Sequence, residues 1–326
     1  MPAVSLLDVA ALEQRPLRKA VLMAMFKGRL PSPVDFLPVE NAKSLAQEVT
    51  RLSDAGTPST RNIGEAVGAY NAVFTRGQET LKIIENKITI DKVLLDVQTF
   101  IEDPIALQTR TYSLVIKNTV NNLLVNGDPA ADSSDPAGLQ YRLVNDSMFF
   151  GQAVNAGALN VDANDATRNS WLDKIDEAIT LVSGGAPDVC VVNRQTWIKF
   201  RSALRNLKVL DTTKDQFDRV ILQYGNTKIL DAGNTPAGVL SAAKAGQVIL
   251  DDGITDIFGN ASSTPMYFFA TGEEGVRLLQ LHPLRVTKVG LDPGDPGQFV
   301  VDITWPIGFL IPQKFALASV QGLDIT

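Results

Sequence analysis

The chain has 326 residues, a formal net charge of −6, 45% apolar and 20% charged residues, and a single cysteine. This is globular composition with ample material for a core, and its length suggests two domains. It excludes nucleic-acid wrapping through a broadly basic face, an intrachain disulfide, and a membrane-spanning helix, because no run approaches about 18 uninterrupted apolar residues.

Residues 1–40 read as an arm. Pro16 starts a short helix in which Leu17, Val21, Leu22, Met25 and Phe26 share an apolar side, and Gly28 closes it. Pro31, Pro33 and Pro38 then impose an extended path. The arm packs either on its own chain or on a neighbour, and the sequence leaves both open. Arg18-Lys19 precede the apolar stretch and no small-residue cleavage pattern follows it, so it is not a secretory signal. A cytosolic origin follows.

The most telling stretch runs from Asn41 to Asp103. Leu45, Val49 and Leu52 lead outward, a Gly- and Ala-rich tip falls near Gly64–Ala72, and Phe74–Asp91 returns. Alternation is clearest in Leu81 and Ile83 against Lys82, and in Ile88 and Ile90 against Lys87, Thr89 and Asp91. The segment Gln78-Glu-Thr-Leu-Lys-Ile-Ile-Glu-Asn-Lys-Ile-Thr-Ile-Asp-Lys92 reads as the return arm of a very long hairpin. At strand rise that arm spans roughly 60 Å, wider than most domains. A two-stranded ribbon has no core of its own and needs a cover from elsewhere. Its charges alternate in sign: Arg51, Asp54, Arg61, Glu65, Arg76, Glu79, Lys82, Glu85 and Lys87.

Asp103 is a suitable N-cap and Pro104 a suitable first residue for a helix that Asn126-Gly127 ends. Ile105, Tyr112, Ile116, Val120 and Leu123 form its stripe, with Arg110, Lys117, Asn118 and Asn121 on the other side. The helix is about 33 Å long. A polar loop at Asp128–Asp135 follows. A compact α/β alternation then begins: a helix over 164–183, a buried strand Val189–Val192, a helix over 195–206, and strand candidates at Lys228–Leu230 and Val248–Leu250. From Pro265 the chain is β-rich, through Gly275–Leu281, Leu284–Val289 and Phe299–Trp305. The last two read as a long antiparallel ribbon joined by Asp292-Pro-Gly-Asp-Pro-Gly297.

No catalytic constellation stands out. His282 is the one histidine and lacks a Gly-x-Ser-x-Gly elbow, and with Cys190 it cannot build a zinc site. Asp251-Asp252, Glu273-Glu274 and Asp292/Asp295 read as solvated turns. Asp162-Ala-Asn-Asp165 lacks the glycine and terminal glutamate of a calcium loop. No phosphate-cradling glycine loop is present. The expectation is therefore no enzyme, no metal and no cofactor, the alternative being an α/β enzyme with its site in 166–281.

The order of elements resembles the major capsid protein of tailed bacteriophages, the Hong Kong 97-type fold. The resemblance is carried locally by Glu79–Lys92, by Asp135-Pro-Ala-Gly-Leu139 after the long helix, and by Val301-Asp-Ile-Thr-Trp-Pro-Ile-Gly308 late in the chain. It implies an α+β fold: an N-terminal arm (1–40), an extended β-hairpin loop (41–92), a peripheral domain (93–165 and 282–306) with spine helix 104–126, and an α/β axial domain (166–281 and 307–326). It implies self-assembly into hexamers and pentamers of an icosahedral head around double-stranded DNA. The same fold also builds encapsulin-type cargo shells. Inter-subunit contacts would fall on Arg51, Arg61, Glu65, Arg76, Glu79, Lys82, Glu85 and Lys87 of the loop and Leu17, Val21, Met25 and Phe26 of the arm. Implied partners are further copies, scaffold, portal and cement or decoration proteins, and packaged DNA bound without sequence preference. The implied location is the virion, assembled in the host cytoplasm. Some relatives seal the shell with a Lys–Asn isopeptide bond; Lys82 and Lys87 lie in the relevant element, but no Asn or Glu partner can be identified, and no crosslink is expected.

Overall fold

The structure, a computed structural model, describes residues 31–54, 60, 62–63, 65, 73–93, 104–160, 165–182, 186–206, 211–215, 218–233, 257–259, 263–291, 294–295 and 297–324. In chain order the strands and helices are β1 (Val39–Asn41), β2 (Ala46–Asp54), β3 (Val73–Thr80), β4 (Lys82–Asp91), α1 (Pro104–Asn126), α2 (Leu139–Asn145), β5 (Ala153–Asn160), α3 (Asp165–Leu181), β6 (Val189–Val192) and α4 (Arg194–Asn206). They continue with β7 (Asp211–Lys214), β8 (Val220–Tyr224), β9 (Thr227–Asp231), β10 (Thr264–Phe269), β11 (Arg277–Gln280), β12 (Arg285–Leu291), β13 (Gln298–Leu310) and β14 (Leu317–Asp324).

Strand β6 explains the layering. All four of its residues are buried, so both faces must be covered. Cys190 and Val192 face α3 and α4, joining Trp171, Ile175, Ala178, Phe200 and Leu204 in one core. Trp171 and Phe200 meet edge-on with centroids 5.1 Å apart, and Phe200 meets Tyr224 likewise at 5.6 Å. Val189 and Val191 face the opposite way, into a second core shared with Ile116, Val120 and Leu124 of α1 and Ile303, Trp305 and Ile307 of β13. The strand belongs to a seven-stranded sheet ordered β5-β14-β10-β6-β9-β8-β7. It is mixed: β5–β14 and β6–β9 run parallel and the other neighbours antiparallel.

The second sheet is organised by β13, thirteen residues long. One edge pairs antiparallel with β4 over Gln298–Ile307. The other pairs with β12 and then with β11, and β1 adds to β11 in parallel. Strand β13 is therefore the middle of a sheet, with β12 at its edge, whereas sequence suggested that the two form a ribbon. Helix α1 lies against β4 and ends as expected. Its C-terminus is tied to the loop beyond by Gly138 N–H donating to Gly127 O at 2.8 Å. A Cβ on Gly127 would sit 2.3 Å from Pro136 O and 2.5 Å from Leu123 O, so only glycine allows this crossing.

The polar side assigned to α1 is partly wrong. Lys117 and Asn121 are buried. Lys117 Nζ lies 3.0 Å from the fully buried Asp35 carboxylate, which also meets Arg219 at 3.1 Å, and Arg219 donates to Asp215 at 2.5 Å. Asn121 Oδ1 accepts from Val34 N at 3.4 Å. The chain entering at 32–35 thus covers that face. Strands β1, β5, β7, β8 and β14 and helix α2 were not anticipated. Asp103 and Val248–Leu250 lie outside the described residues.

Candidate assembly surface

Strands β2 and β3 pair antiparallel, Ala46 with Thr80 through Asp54 with Val73, and among the described residues no third strand joins them. The return arm does not run unbroken over Phe74–Asp91 as sequence suggested. The return strand breaks at Leu81, and residues 82–91 become β4, a member of the large sheet. The break resets the alternation. Leu81 is buried in a small cluster with Ala42, Val49, Leu279 and Leu310, whereas Ile83, two residues on, is 56% exposed. Leu81 N also donates to Leu45 O at 2.7 Å, pinning the ribbon's root. Past the root, eight residues of β3 extend about 27 Å. They carry Phe74, 63% exposed, on the same face as exposed Arg76, and Val73, 50% exposed, on the other.

An ion cluster sets the ribbon's direction. Arg142, on α2, donates Nη1 and Nη2 to the two Glu79 carboxylate oxygens at 2.8 and 2.7 Å. Its Nη2 also donates to Phe309 O at 2.8 Å, and its Nε to Ala137 O at 3.3 Å. Arg51, across the ribbon on β2, donates to the same Glu79 oxygen and, at 3.0 Å, to Asp146. Asp146 in turn caps the turn at Ser147–Phe149 through Met148 N. Gly77 makes room for this: a Cβ there would lie 3.1 Å from the Arg51 guanidinium. Two strands, one helix and the body are joined by one buried carboxylate, and the bidentate fork fixes its angle.

The contact residues proposed from sequence thus separate. Arg51 and Glu79 are engaged within the chain. Lys82 donates to Ser133 O of the loop after α1. Arg76 is exposed on β3, and Glu85 and Lys87 point outward from β4. The Glu65 carboxylate accepts from Asn62 backbone and side chain, which holds it below the usual carboxylate range. Arg61, Leu17, Val21, Met25 and Phe26 lie outside the described residues. Sequence reading missed Arg142 and Asp146. The available signal was an arginine inside a short helix whose neighbours Leu139 and Leu143 are apolar.

Cys190 is fully buried, and burial pushes its thiol up. Burial and the Asp176 carboxylate push the Tyr224 hydroxyl up to about 12. His282 sits 3.0 Å from Pro283 O through Nδ1. Among the described residues no group of three His, Cys, Asp or Glu side chains could hold a metal ion, and no helix is long and apolar enough to cross a membrane.

Comparison with known proteins gives no matching family model and no matching curated sequence. Solved structures do match. The chain is similar to a holo-SrpI encapsulin complex from Synechococcus elongatus (16% identity, 97% of this chain and 98% of that chain, TM-score 0.61). It is similar to the capsid of an empty GTA particle (14% identity, 91% and 92%, TM-score 0.58) and to a structure from Mycobacterium phage Bobi (12% identity, 98% and 99%, TM-score 0.55). At these identities the likeness is one of fold, and it runs nearly end to end.

Proposed function

We propose that this chain, which has the Hong Kong 97-type fold, is the major capsid protein of a tailed bacteriophage, forming hexamers and pentamers of an icosahedral head around double-stranded DNA. The supporting observation is the β2–β3 ribbon. It is held rigidly at its root by Glu79 and the Leu81 cluster, yet its outer part shows Phe74 and Val73 to solvent with no third strand among the described residues. A ribbon aimed that firmly and left that bare suits an element that lies across an adjacent copy. Closure then multiplies individually modest contacts.

On this reading residues 1–40 are the arm and 41–92 the extended loop, 93–165 with 282–306 are peripheral, and 166–281 with 307–326 meet around the symmetry axes, except that β5 joins the seven-stranded sheet of the latter group while β4 and β11 join the β13 sheet. Arg76, Glu85 and Lys87 are contact residues from the loop. The acidic balance suits a container, since a strongly basic inner wall would grip packaged DNA. No catalytic role is assigned. Scaffold, portal and cement proteins are further partners, with assembly in the host cytoplasm.

Shortening the loop between Gly56 and Arg76 is expected to leave a folded subunit that forms no shells in negative-stain images. Particles at normal yield would refute the ribbon's role. The end-to-end similarity to an encapsulin favours one second reading, a cargo compartment. Nuclease-protected DNA inside purified particles supports the head; a co-purifying protein in its place supports the compartment.

A further inference from the structure

Helices α3 and α4 lie side by side on one face of the seven-stranded sheet, Trp171 of one meeting Phe200 of the other with ring centroids 5.1 Å apart. Helix α3 packs over β5 and β14 and α4 over β9, so each covers a different flank of that face. Their outward sides carry opposite charge. Over Arg194–Asn206, α4 has four basic residues and no acidic one. Arg194, Ile198, Arg201 and Arg205 are exposed and recur at helical spacing, forming one line along the helix. Arg194 is satisfied by Asp231 at 2.9 Å. Arg201 lies over the Trp197 ring, 5.5 Å from its centroid, and neither Arg201 nor Arg205 has a carboxylate partner among the described residues. On α3 the exposed acids are Asp173, Asp176 and Glu177. Asp176 accepts from the Tyr224 hydroxyl at 3.0 Å, and Glu177 pairs with Lys174 at 2.8 Å. A surface pair of that kind is weakly held and exchanges partners readily.

We infer that α4 of one copy docks on α3 of the next, with Arg201 and Arg205 against Asp173 and Glu177. The inference rests on the shell reading above, in which this half of the chain meets around the symmetry axes. The spacing matches: each pair of charges is four residues apart, about 6 Å along its helix. The placement matches as well. With acid on one flank and base on the other, copies meet head to tail, the type of contact that closes into rings. The mixed sign selects a sister copy over a nucleic acid. Phosphates laid along α4 would meet the acids of α3 beside it, whereas a second copy presents both signs in the same arrangement. Ile198, 56% exposed between Arg194 and Arg201, adds apolar contact to the line.

The test is charge reversal in the full-length protein, read by particle yield in negative-stain images and by size-exclusion chromatography. Arg201→Glu with Arg205→Glu, and separately Asp173→Lys with Glu177→Lys, set like charges against each other and should each cut particle yield at least about tenfold. All four changes together restore opposite signs and should return most of that yield. A quadruple variant that assembles no better than either pair overturns the inference, and so does wild-type yield from either pair. If the arginine pair gives particles at wild-type yield that hold less nuclease-protected DNA, α4 faces the packaged polymer instead. A wild-type protein that forms no particles refutes the shell reading itself, which separates the two failures. Where circular dichroism shows that a reversed pair does not fold, Arg201→Gln with Arg205→Gln supplies the readout. Added salt screens exposed charge, so it should lower wild-type yield and leave the reduced yield of the glutamine variant nearly unchanged. Equal salt responses overturn the docking.

Discussion

Replacing Glu79 with alanine removes the one anion on which the ribbon's root converges. Its carboxylate accepts both Nη groups of Arg142 and one from Arg51, and it is 5% exposed. Arg51 retains Asp146. Arg142, 2% exposed, retains only the carbonyls of Phe309 and Ala137, which do not neutralise a guanidinium. Removing one partner of a buried pair costs about 3–5 kcal/mol, because the surviving charge stays desolvated. The loss should be local before it is global. Hydrogen exchange at the amides of β2 and β3 should accelerate while β13 stays protected, and the first urea transition should move to lower denaturant. The double change Glu79→Leu with Arg142→Met replaces the pair with apolar groups of similar size and should recover most of the stability. If it recovers stability without restoring shells, the cluster's contribution is orientation. A loss below about 1 kcal/mol for Glu79→Ala, with ribbon exchange unchanged, would refute the anchoring argument, because such a value belongs to a solvated surface pair.

Phe74→Ser, on the exposed strand β3, should change subunit stability by no more than about 0.5 kcal/mol while reducing particle yield in electron micrographs; full yield removes that side chain from the interface. Gly127→Ala should cost about 1–3 kcal/mol in urea titrations, since the added Cβ meets backbone atoms that cannot turn away; a neutral result would mean that the loop closure at Gly138 relaxes. Burial, then the charge of Asp132, raises the Asp135 carboxyl above the usual aspartate range. The folded state therefore holds that proton more tightly than the unfolded chain, and the associated stability is present at low pH and lost as pH rises through the raised value. Asp135→Asn should flatten stability across that mildly acidic window and gain on wild type toward neutrality; the opposite slope difference would contradict the assignment.

Local chemistry was enough to read much of this chain. Proline at 104 and glycine at 127 bound a helix wherever it packs, and the spacing of Ile116, Val120 and Leu123 marks its buried stripe. The four apolar residues of Val189–Val192 demand cover on both faces, and two cores meet there. What sequence could not supply was the choice of distant partners. Residues 74–91 read as one return strand, with no local signal that sets Leu81 apart, yet the strand divides at Leu81 because β13, more than 200 residues on, offers β4 an edge while β2 offers β3 another. Lys117 and Asn121 look solvated on a helical wheel, and only the entry segment at Val34 and Asp35 makes them interior. Glu79 resembles any charge on a mixed ribbon until Arg142, 63 residues away, reaches it. Periodicity and capping act over a few residues and are written locally. Strand pairing and buried ion clusters depend on edges and carboxylates contributed from elsewhere, so tertiary structure alone decided which part of the ribbon is sheltered and which is left bare.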